Sequence, residues 1–217
     1  MLTVLTTKDK ILFTAIELFN QKGYKNVSIK EVADAMGISP GNLTYHFKTK
    51  ESLIGAIYEA MRDETQAFVL PAGAPTLLHF EEMYTNFYYF QHQYSFFFTD
   101  MLEIVQQYPA IKKMNETRSA KFIADGNQLF DYYVRSGRIL PPPDNISYPR
   151  LTHMIWMMGL FWMSQNKIVG IYDDTLENYL THLWNIILPH TTELGKREYA
   201  VSKFCQNREL ANITNAN

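Results

Sequence analysis

The segment 39–50 gathers side chains whose chemistry suits the recognition of nucleic acid. It begins with a serine, ends with two lysines that flank a threonine, and carries donors, acceptors and an aromatic ring with no acidic residue among them. Mixed polar groups of this kind fit the edges of bases, and lysines fit the neighbouring phosphates. The candidates for contacts near base edges are Asn42, Thr44, Tyr45 and His46.

We predict that these side chains stand on a short helix that runs to about Phe47. Ser39 is a favourable N-cap, and Pro40 suits the first helical position because its missing N–H would be unbonded there. Leu43 and Phe47 lie four residues apart, so burial of their shared face turns the polar residues outward. Together with Pro40, small Gly41 allows close approach, and both are DNA-binding candidates. An ordinary capped surface helix is the alternative interpretation.

Two amphipathic helices precede this segment. A capping-box pattern at 6–9 opens the first helix and Gly23 ends it, while a second pattern at 28–31 opens the next and Gly37 ends it. The predicted inward residues are Leu12, Ala15, Ile16 and Phe19 in the first helix and Ile29, Val32, Ala33 and Met36 in the second. Short capped helices joined by a glycine-containing turn predict a helix-turn-helix whose second helix is the segment 39–50.

Hydroxyl and charged side chains around this motif are candidates for phosphate contacts. They are Ser28, Lys30, Ser39, Lys48 and Lys50. Thr49 is expected to cap a fourth helix, so Lys50 stands at a helix start. An ammonium is unfavourable there unless it shares a phosphate with the free N–H groups. His46 fits a phosphate contact as well as a base edge.

The charge balance confines any nucleic-acid affinity to a local patch. The chain has a formal net charge of −2, whereas residues 20–50 hold five lysines and two acids, an excess of three. The single cysteine, Cys205, excludes an intramolecular disulfide framework and a zinc site with several cysteine ligands. No signal peptide is visible, and the most hydrophobic run, 154–163, is too short to span a membrane. We therefore expect a cytoplasmic protein with no membrane contact.

The stretch from Thr7 to Ile57 resembles the DNA-binding domain of the TetR family of bacterial transcriptional regulators. The matching residues are Ala15 to Phe19, Gly23-Tyr24, Val27 to Ile29, Val32-Ala33, Gly37 to Ser39, Gly41 to Leu43, His46-Phe47 and Lys50 to Leu53. Met36 and Thr44 depart from the pattern, which usually has Ala and Tyr there. Because that tyrosine commonly touches the DNA backbone, the contact is lost here or is made by Tyr45.

We predict an all-α fold, an N-terminal three-helix head followed by a larger helical domain, since no useful length of the later sequence alternates with period two. The expected parts are a helix-turn-helix DNA-binding domain at 1–50, a connecting helix and linker at 51–75, a helical effector-binding and dimerisation domain at 76–206, and a loose tail at 207–217. Helices of the larger domain are predicted at about 76–92, 95–107, 110–136, 148–169, 174–188 and 192–206, with Thr76 and Ser95 as caps.

Two late helices carry apolar residues around most of their circumference. The run 154–163 is apolar on all sides and the helix at 174–188 over a wide arc, which indicates either a partner or a deep core. The resemblance favours the partner, because TetR-like regulators form homodimers through their last two long helices. The predicted interface residues are Met154, Met158, Phe161, Trp162, Leu180, Leu183, Trp184 and Ile187. A two-fold dimer lets a short helix read both half-sites of a palindromic operator in double-stranded DNA.

Aromatic residues of the larger domain exceed what two helical core stripes require. They are candidates for a pocket that takes a small, mostly apolar or aromatic effector, although plain core packing explains any single one of them. The candidate ligand residues are Tyr84, Phe87, Tyr88, Phe97, Met101, Tyr132 and His153. The resemblance implies an effector that shifts the DNA-binding heads and leaves its identity unknown.

The resemblance favours a repressor that an effector releases from DNA. The alternative is an activator or DNA-bound adaptor whose second domain recruits a protein. An enzyme is disfavoured, because the chain has no HExxH or GxSxG pattern, no glycine-rich phosphate loop and no cysteine near a plausible partner. The histidines form no metal-ligand pattern, so we expect neither a metal nor a cofactor.

Overall fold

The computed structural model describes residues 6–65, 73–170 and 173–208, and these residues form helices joined by short turns. The α-helices are α1 (Thr7–Lys22), α2 (Ile29–Met36), α3 (Pro40–His46), α4 (Lys50–Thr65), α5 (Leu77–Gln93), α6 (Ser95–Thr99), α7 (Met101–Gln107), α8 (Pro109–Arg135), α9 (Tyr148–Val169), α10 (Leu176–Ile187) and α11 (Glu193–Ala200). Across the described ranges there is one isolated β-bridge, between Ile139 and Thr191, and no strand. The predicted all-α fold is confirmed.

The described part of the chain divides into two compact units. The head unit takes its residues from 1–67 and 90–116, and the C-terminal unit takes its residues from 68–89 and 117–217. Residues 90–116, which the sequence analysis assigns to the larger domain, thus pack with the helix-turn-helix. Most of the predicted linker before residue 73 and the predicted tail after 208 lie outside the described residues.

The caps of the first helices form as predicted. Both capping boxes, at 6–9 and 28–31, are present with their reciprocal hydrogen bonds. Gly23 (φ 80°) and Gly37 (φ 65°) end α1 and α2 in conformations that residues with side chains rarely adopt. At the start of α4, the Thr49 hydroxyl accepts a hydrogen bond from the Ser52 N–H over 3.1 Å. These turns fix the lengths of the helices that carry α3.

The buried face of α1 includes Ala15 and Phe19, as predicted, but differs from the predicted stripe at its other positions. Ile11 is buried with Ala15 and Phe19, whereas Leu12 and Ile16 are only half-buried. Because α1 packs along a row of residues spaced by four, Ile11 takes the place expected for Leu12. In α2 the buried residues are Val32 and Ala33, and the half-buried ones are Ile29 and Met36.

The helix predicted at 95–107 is divided at Asp100, whose φ of −107° and ψ of 13° lie outside the helical region. One carboxylate oxygen of Asp100 accepts a hydrogen bond from the backbone N–H of Tyr24 over 2.9 Å, so a tertiary contact holds the break. Ser95 does not cap this segment; its hydroxyl donates to the Asn20 side-chain carbonyl over 2.9 Å. The rings buried here are Phe96, Phe97 and Phe98.

Buried polar contacts hold the C-terminal unit in addition to its aromatic core. Glu81 is buried and accepts from the indole N–H of Trp184 over 3.0 Å and from the backbone N–H of Phe204 over 3.2 Å. Arg138 and Glu198 form a shielded ion pair at 2.9 Å. Loss of one partner would leave a buried polar group unpaired, which costs more than the bond itself contributes.

Two helix limits in the C-terminal unit differ from the prediction. Helix α10 begins after Thr175, whose hydroxyl accepts from the N–H of Asn178 over 3.2 Å, so the predicted start at 174 is too early. The helix predicted at 192–206 is interrupted at residues 201–202, where the chain turns. Local capping decides both limits.

Candidate nucleic-acid interface

Helix α3 is fixed by a serine cap and two buried side chains. The Ser39 hydroxyl accepts a hydrogen bond from the N–H of Asn42 over 3.2 Å, and Pro40 occupies the first helical position, as predicted. Leu43 is 0% exposed, and Phe47, whose N–H donates to the Leu43 carbonyl over 2.9 Å, is 3% exposed. Because these residues hold one face of α3 inside the head unit, the opposite face points outward.

The outward face carries the side chains predicted to lie near base edges. Tyr45 is 84% exposed, and its ring meets the half-buried His46 ring edge-on, with 5.3 Å between the ring centres. The other exposed residues of this segment are Ser39, Pro40, Gly41, Asn42, Thr44, Lys48 and Thr49. The fold therefore brings the four predicted base-edge residues together on one short helix, with a largely exposed aromatic ring among them.

Two small residues shape this face. The Thr44 hydroxyl donates to the Gly41 carbonyl over 3.1 Å, so its proton is committed to the helix and Thr44 presents acceptor lone pairs and a methyl group. A Cβ added at Gly41 would meet no atom closer than the Ser39 hydroxyl oxygen at 3.9 Å. The packing of the head unit itself does not require a glycine at that position.

The lysines of the helix-turn-helix differ in whether their ammonium groups already form an ion pair. Lys22 pairs with Glu31 at 3.6 Å, and Lys25 pairs with Glu103 at 3.0 Å. Two others, Lys30 and Lys48, are exposed and form no ion pair within the described ranges. The exposed hydroxyl of Ser28 accepts from the N–H of Glu31 over 3.2 Å as part of its capping box.

Lys50 is directed inward, in contrast to the position expected for a phosphate ligand. It is half-buried, and its ammonium donates to the Tyr24 carbonyl over 2.5 Å and lies 3.9 Å from the centre of the Tyr24 ring. The centre of the Phe19 ring is 5.5 Å away. Burial lowers the pKa of the Lys50 ammonium, and Glu103 and Glu31 act in the opposite direction. A carbonyl and two ring faces thus replace an external anion at this helix start.

One cation beside α3 comes from outside the motif. The ammonium of exposed Lys8, near the start of α1, lies 5.8 Å from the centre of the Phe47 ring at the end of α3. Lys8 is therefore a further candidate for a phosphate contact. Sequence spacing does not reveal it, because its position depends on how α1 packs in the head unit.

The predicted ligand residues divide between the two units. Those buried in the head unit are Phe97 and Met101, and those buried in the C-terminal unit are Tyr84, Phe87 and Tyr88. Tyr132 is half-buried and His153 is exposed. A separate cleft of about 510 Å³ contains none of them; it is lined by Asp131, Val134, Arg135, Pro142, Ile146, Ser147, Tyr148 and Pro149.

The predicted dimer residues divide by exposure. Those that belong to the core of the C-terminal unit, at 6% exposure or less, are Trp162, Leu180, Leu183, Trp184 and Ile187. Met154 and Phe161 are about half exposed, at 52% and 51%, and Met158 is half-buried. Exposed Met157 and Ile168 lie on the same side of α9 at helical spacing from them. We call Met154, Met157, Phe161 and Ile168 the α9 stripe.

Within 6–65, 73–170 and 173–208, no three His, Cys, Asp or Glu side chains are grouped so that they could hold a metal ion. No helix in those ranges combines the length and the apolar character needed to cross a membrane.

Comparison with known proteins agrees with this geometry. A family model described as TetR, bacterial transcriptional repressor, matches residues 58–199, and one described as bacterial regulatory proteins, tetR family, matches residues 11–57. The probable HTH-type transcriptional regulator YttP of Bacillus subtilis (strain 168) is 40% identical over 58 residues, 25% of this chain and 28% of YttP. The HTH-type transcriptional regulator UidR of Escherichia coli (strain K12) is 39% identical over 61 residues, 28% of this chain and 30% of UidR.

These alignments span less than a third of either relative. The crystal structure of a TetR-family transcriptional regulator from Marinobacter aquaeolei VT8 matches with a TM-score of 0.81 at 24% identity, over 91% of this chain and 97% of that chain, and shows the shared fold. The two family models together extend from residue 11 to residue 199. The chain therefore belongs to the TetR family of bacterial transcriptional regulators, which are helix-turn-helix DNA-binding proteins and not enzymes.

Proposed function

We propose that this regulator represses transcription in the cytoplasm by binding a palindromic operator as a homodimer, and that a small, mostly apolar or aromatic effector releases it. The observation that carries the proposal is the outward face of α3, where four polar side chains stand together with no acid among them. A short helix with such a face fits the major groove, where each base pair presents a distinct pattern of donors and acceptors.

The side chains of this face divide into contacts that specify and contacts that position. Asn42 offers an amide that can bond an adenine edge with two hydrogen bonds, and the Thr44 methyl suits the methyl group of thymine. Tyr45 adds an exposed ring and hydroxyl beside His46. Pro40 and Gly41 allow the helix to approach closely.

The proposed phosphate contacts come from one hydroxyl and from lysines whose charge is not paired. They are Lys30, Ser39, Lys48 and, in addition to the sequence-based candidates, Lys8. The predicted contact from Ser28 is not retained, because its hydroxyl donates to the Glu31 carboxylate over 3.1 Å. Lys50 instead stabilises the turn after α1, because its ammonium is committed to the Tyr24 carbonyl.

The α9 stripe is the proposed centre of the homodimer interface. Its exposed side chains, Met154, Met157, Phe161 and Ile168, recur on one side of a long helix. Exposed apolar side chains that recur on one helix face are typical of association sites. A two-fold pair of heads would then read two half-sites of one palindrome.

An activator or adaptor that recruits a different protein is the second candidate function, and the same exposed stripe would serve it. The two candidates predict different masses in solution. If the α9 stripe recruits another protein, it stays uncovered in the free protein, whereas a homodimer interface covers it and doubles the mass. Selection of bound sequences from random double-stranded DNA tests the main proposal. A palindromic consensus is expected, and a bound pool without any shared sequence would contradict it.

A further inference from the structure

The hydroxyl of Tyr179, on α10, is buried and has no hydrogen-bond partner in the described part of the chain. The residue is 0% exposed. Buried hydroxyls are nearly always paired, since an unpaired one loses its bonds to water without replacement. An exception of this kind requires an explanation from its surroundings.

Two aromatic rings pack against the Tyr179 ring, and their own polar groups already form hydrogen bonds. The Trp162 ring lies 5.5 Å from that of Tyr179 at 77°, and its indole N–H donates to the Asp174 carboxylate over 2.8 Å. The Tyr88 ring also lies 5.5 Å away, and its hydroxyl donates to the Asp174 carbonyl over 3.0 Å. The Tyr179 hydroxyl is therefore an unpaired donor within a cluster of aromatic rings.

Gly159 of α9 explains how the hydroxyl reaches this position. A Cβ there would lie 3.4 Å from the Tyr179 hydroxyl oxygen and 3.4 Å from Cε1 of Phe87, so both groups approach α9 where it has no side chain. Although α9 comes this close, no group of α9 forms a hydrogen bond with the Tyr179 hydroxyl.

We propose that the Tyr179 hydroxyl is the polar anchor of the effector site and that the effector is an uncharged aromatic molecule with a carbonyl oxygen. This inference rests on the proposed function and specifies its ligand class. The aromatic rings around Tyr179 favour an aromatic body, and the unpaired O–H favours one acceptor. The proposed effector is uncharged because no charged partner lies among the described rings. The nearest charge among these contacts is on Asp174, which is exposed to water. A charge placed among the rings would be buried without a partner.

The test uses the full-length protein without DNA and three naphthalene probes. Acetylnaphthalene carries a carbonyl, naphthalene has no polar group, and naphthoate is an anion. Binding is followed by tryptophan fluorescence and by the shift in Tm. We expect acetylnaphthalene to bind the unmodified protein best, and Tyr179→Phe to raise its Kd about tenfold, the loss of one buried hydrogen bond. Naphthalene should bind both proteins equally, and naphthoate should bind neither.

Tyr133→Phe is the matched control, because the buried Tyr133 hydroxyl donates to the Thr76 carbonyl over 2.9 Å. Without probes, Tyr133→Phe should lower Tm, whereas Tyr179→Phe should leave Tm unchanged or raise it. A lower Tm for Tyr179→Phe, no binding of acetylnaphthalene, or equal affinity in both proteins overturns the inference. Naphthoate binding as tight as that of the ketone also overturns it. DNA binding is measured separately, so a protein that takes the ketone but binds no DNA disproves the proposed function alone.

Discussion

The ammonium of Lys50 donates to the backbone carbonyl of Tyr24 over 2.5 Å while it lies 3.9 Å from the centre of the Tyr24 ring. The backbone N–H of the same tyrosine donates a hydrogen bond to the Asp100 carboxylate, and its hydroxyl forms a hydrogen bond with the Tyr108 hydroxyl. Tyr24 thus joins the turn after α1 to α4 and to α7. Lys50 therefore stabilises the helix-turn-helix through contacts inside the head unit.

Lys50→Met should lower the free energy of unfolding by about 1 kcal/mol, because it keeps an apolar stem but leaves the Tyr24 carbonyl without this donor. The slope of log affinity for DNA against log salt should not change. Lys48→Ala, the matched control, should leave stability unchanged and reduce that slope by about one per half-site. Urea unfolding and a salt titration measure the two effects. If Lys50→Met reduces the salt dependence of DNA affinity, Lys50 contacts a phosphate after all.

Asn20→Ala should lower the free energy of unfolding by roughly 2 kcal/mol, since three hydrogen bonds of moderate strength are lost. The Asn20 amide donates to the Gln93 carbonyl over 2.8 Å, and its oxygen accepts from the Ser95 hydroxyl and the Phe96 N–H, each over 2.9 Å. Asn42→Ala, at an exposed position, is the control and should have little effect on urea unfolding. Equal stability of the two variants would show that α6 does not depend on Asn20.

Phe161→Glu should convert the proposed homodimer to a monomer in light scattering, because it places a charge in the middle of the α9 stripe. Phe13→Glu is matched in residue type and exposure, 59% against 51%, but lies on α1 in the head unit, and it should leave the mass unchanged. A monomeric unmodified protein at micromolar concentration would rule out this interface and favour a different partner.

Alkaline pH should unfold the protein between about pH 10 and 12. Burial raises the pKa of Tyr88 to about 12, with further contributions from Asp174 and Tyr89. Burial also raises the pKa of Tyr84, Tyr133 and Tyr179. The unfolded chain releases these protons near about pH 10 and the folded chain retains them. Stability is therefore fully present below that pH and falls as pH rises.

Phenolate absorbance and helical circular dichroism, followed together, measure this effect. Ionisation of the buried tyrosines should coincide with the loss of helix, and Tyr88→Phe should make the pH dependence shallower. Ionisation of every tyrosine near about pH 10 without loss of helix would contradict the assignment.

Local signals in the sequence were sufficient to predict helix α3. Ser39, Pro40, Leu43 and Phe47 determine its cap, its first turn and its buried face through contacts within a few residues. The same holds for the two capping boxes and for Gly37. Such features depend on neighbouring residues alone, and the structure confirms them.

Features that depend on tertiary contacts were not predictable. The inward position of Lys50 requires knowledge of where Tyr24 lies, and the break at Asp100 depends on the Tyr24 N–H. The apolar pattern of their helices places Trp162 and Trp184 at an interface. Their indole groups instead bond Asp174 and Glu81 within the C-terminal unit. Hydrophobic periodicity alone does not distinguish a buried core face from an interface.

Under the proposed function, the outward face of α3 reads base sequence. The most direct measurement compares the affinities of the unmodified protein, Tyr45→Ala and Lys48→Ala for a selected operator and for single-base variants of it. Tyr45→Ala should reduce discrimination at specific positions, by about 1–3 kcal/mol at each affected base pair. Lys48→Ala should weaken binding to all sequences by a similar factor. A uniform loss for Tyr45→Ala, together with unchanged base preferences, would contradict the account.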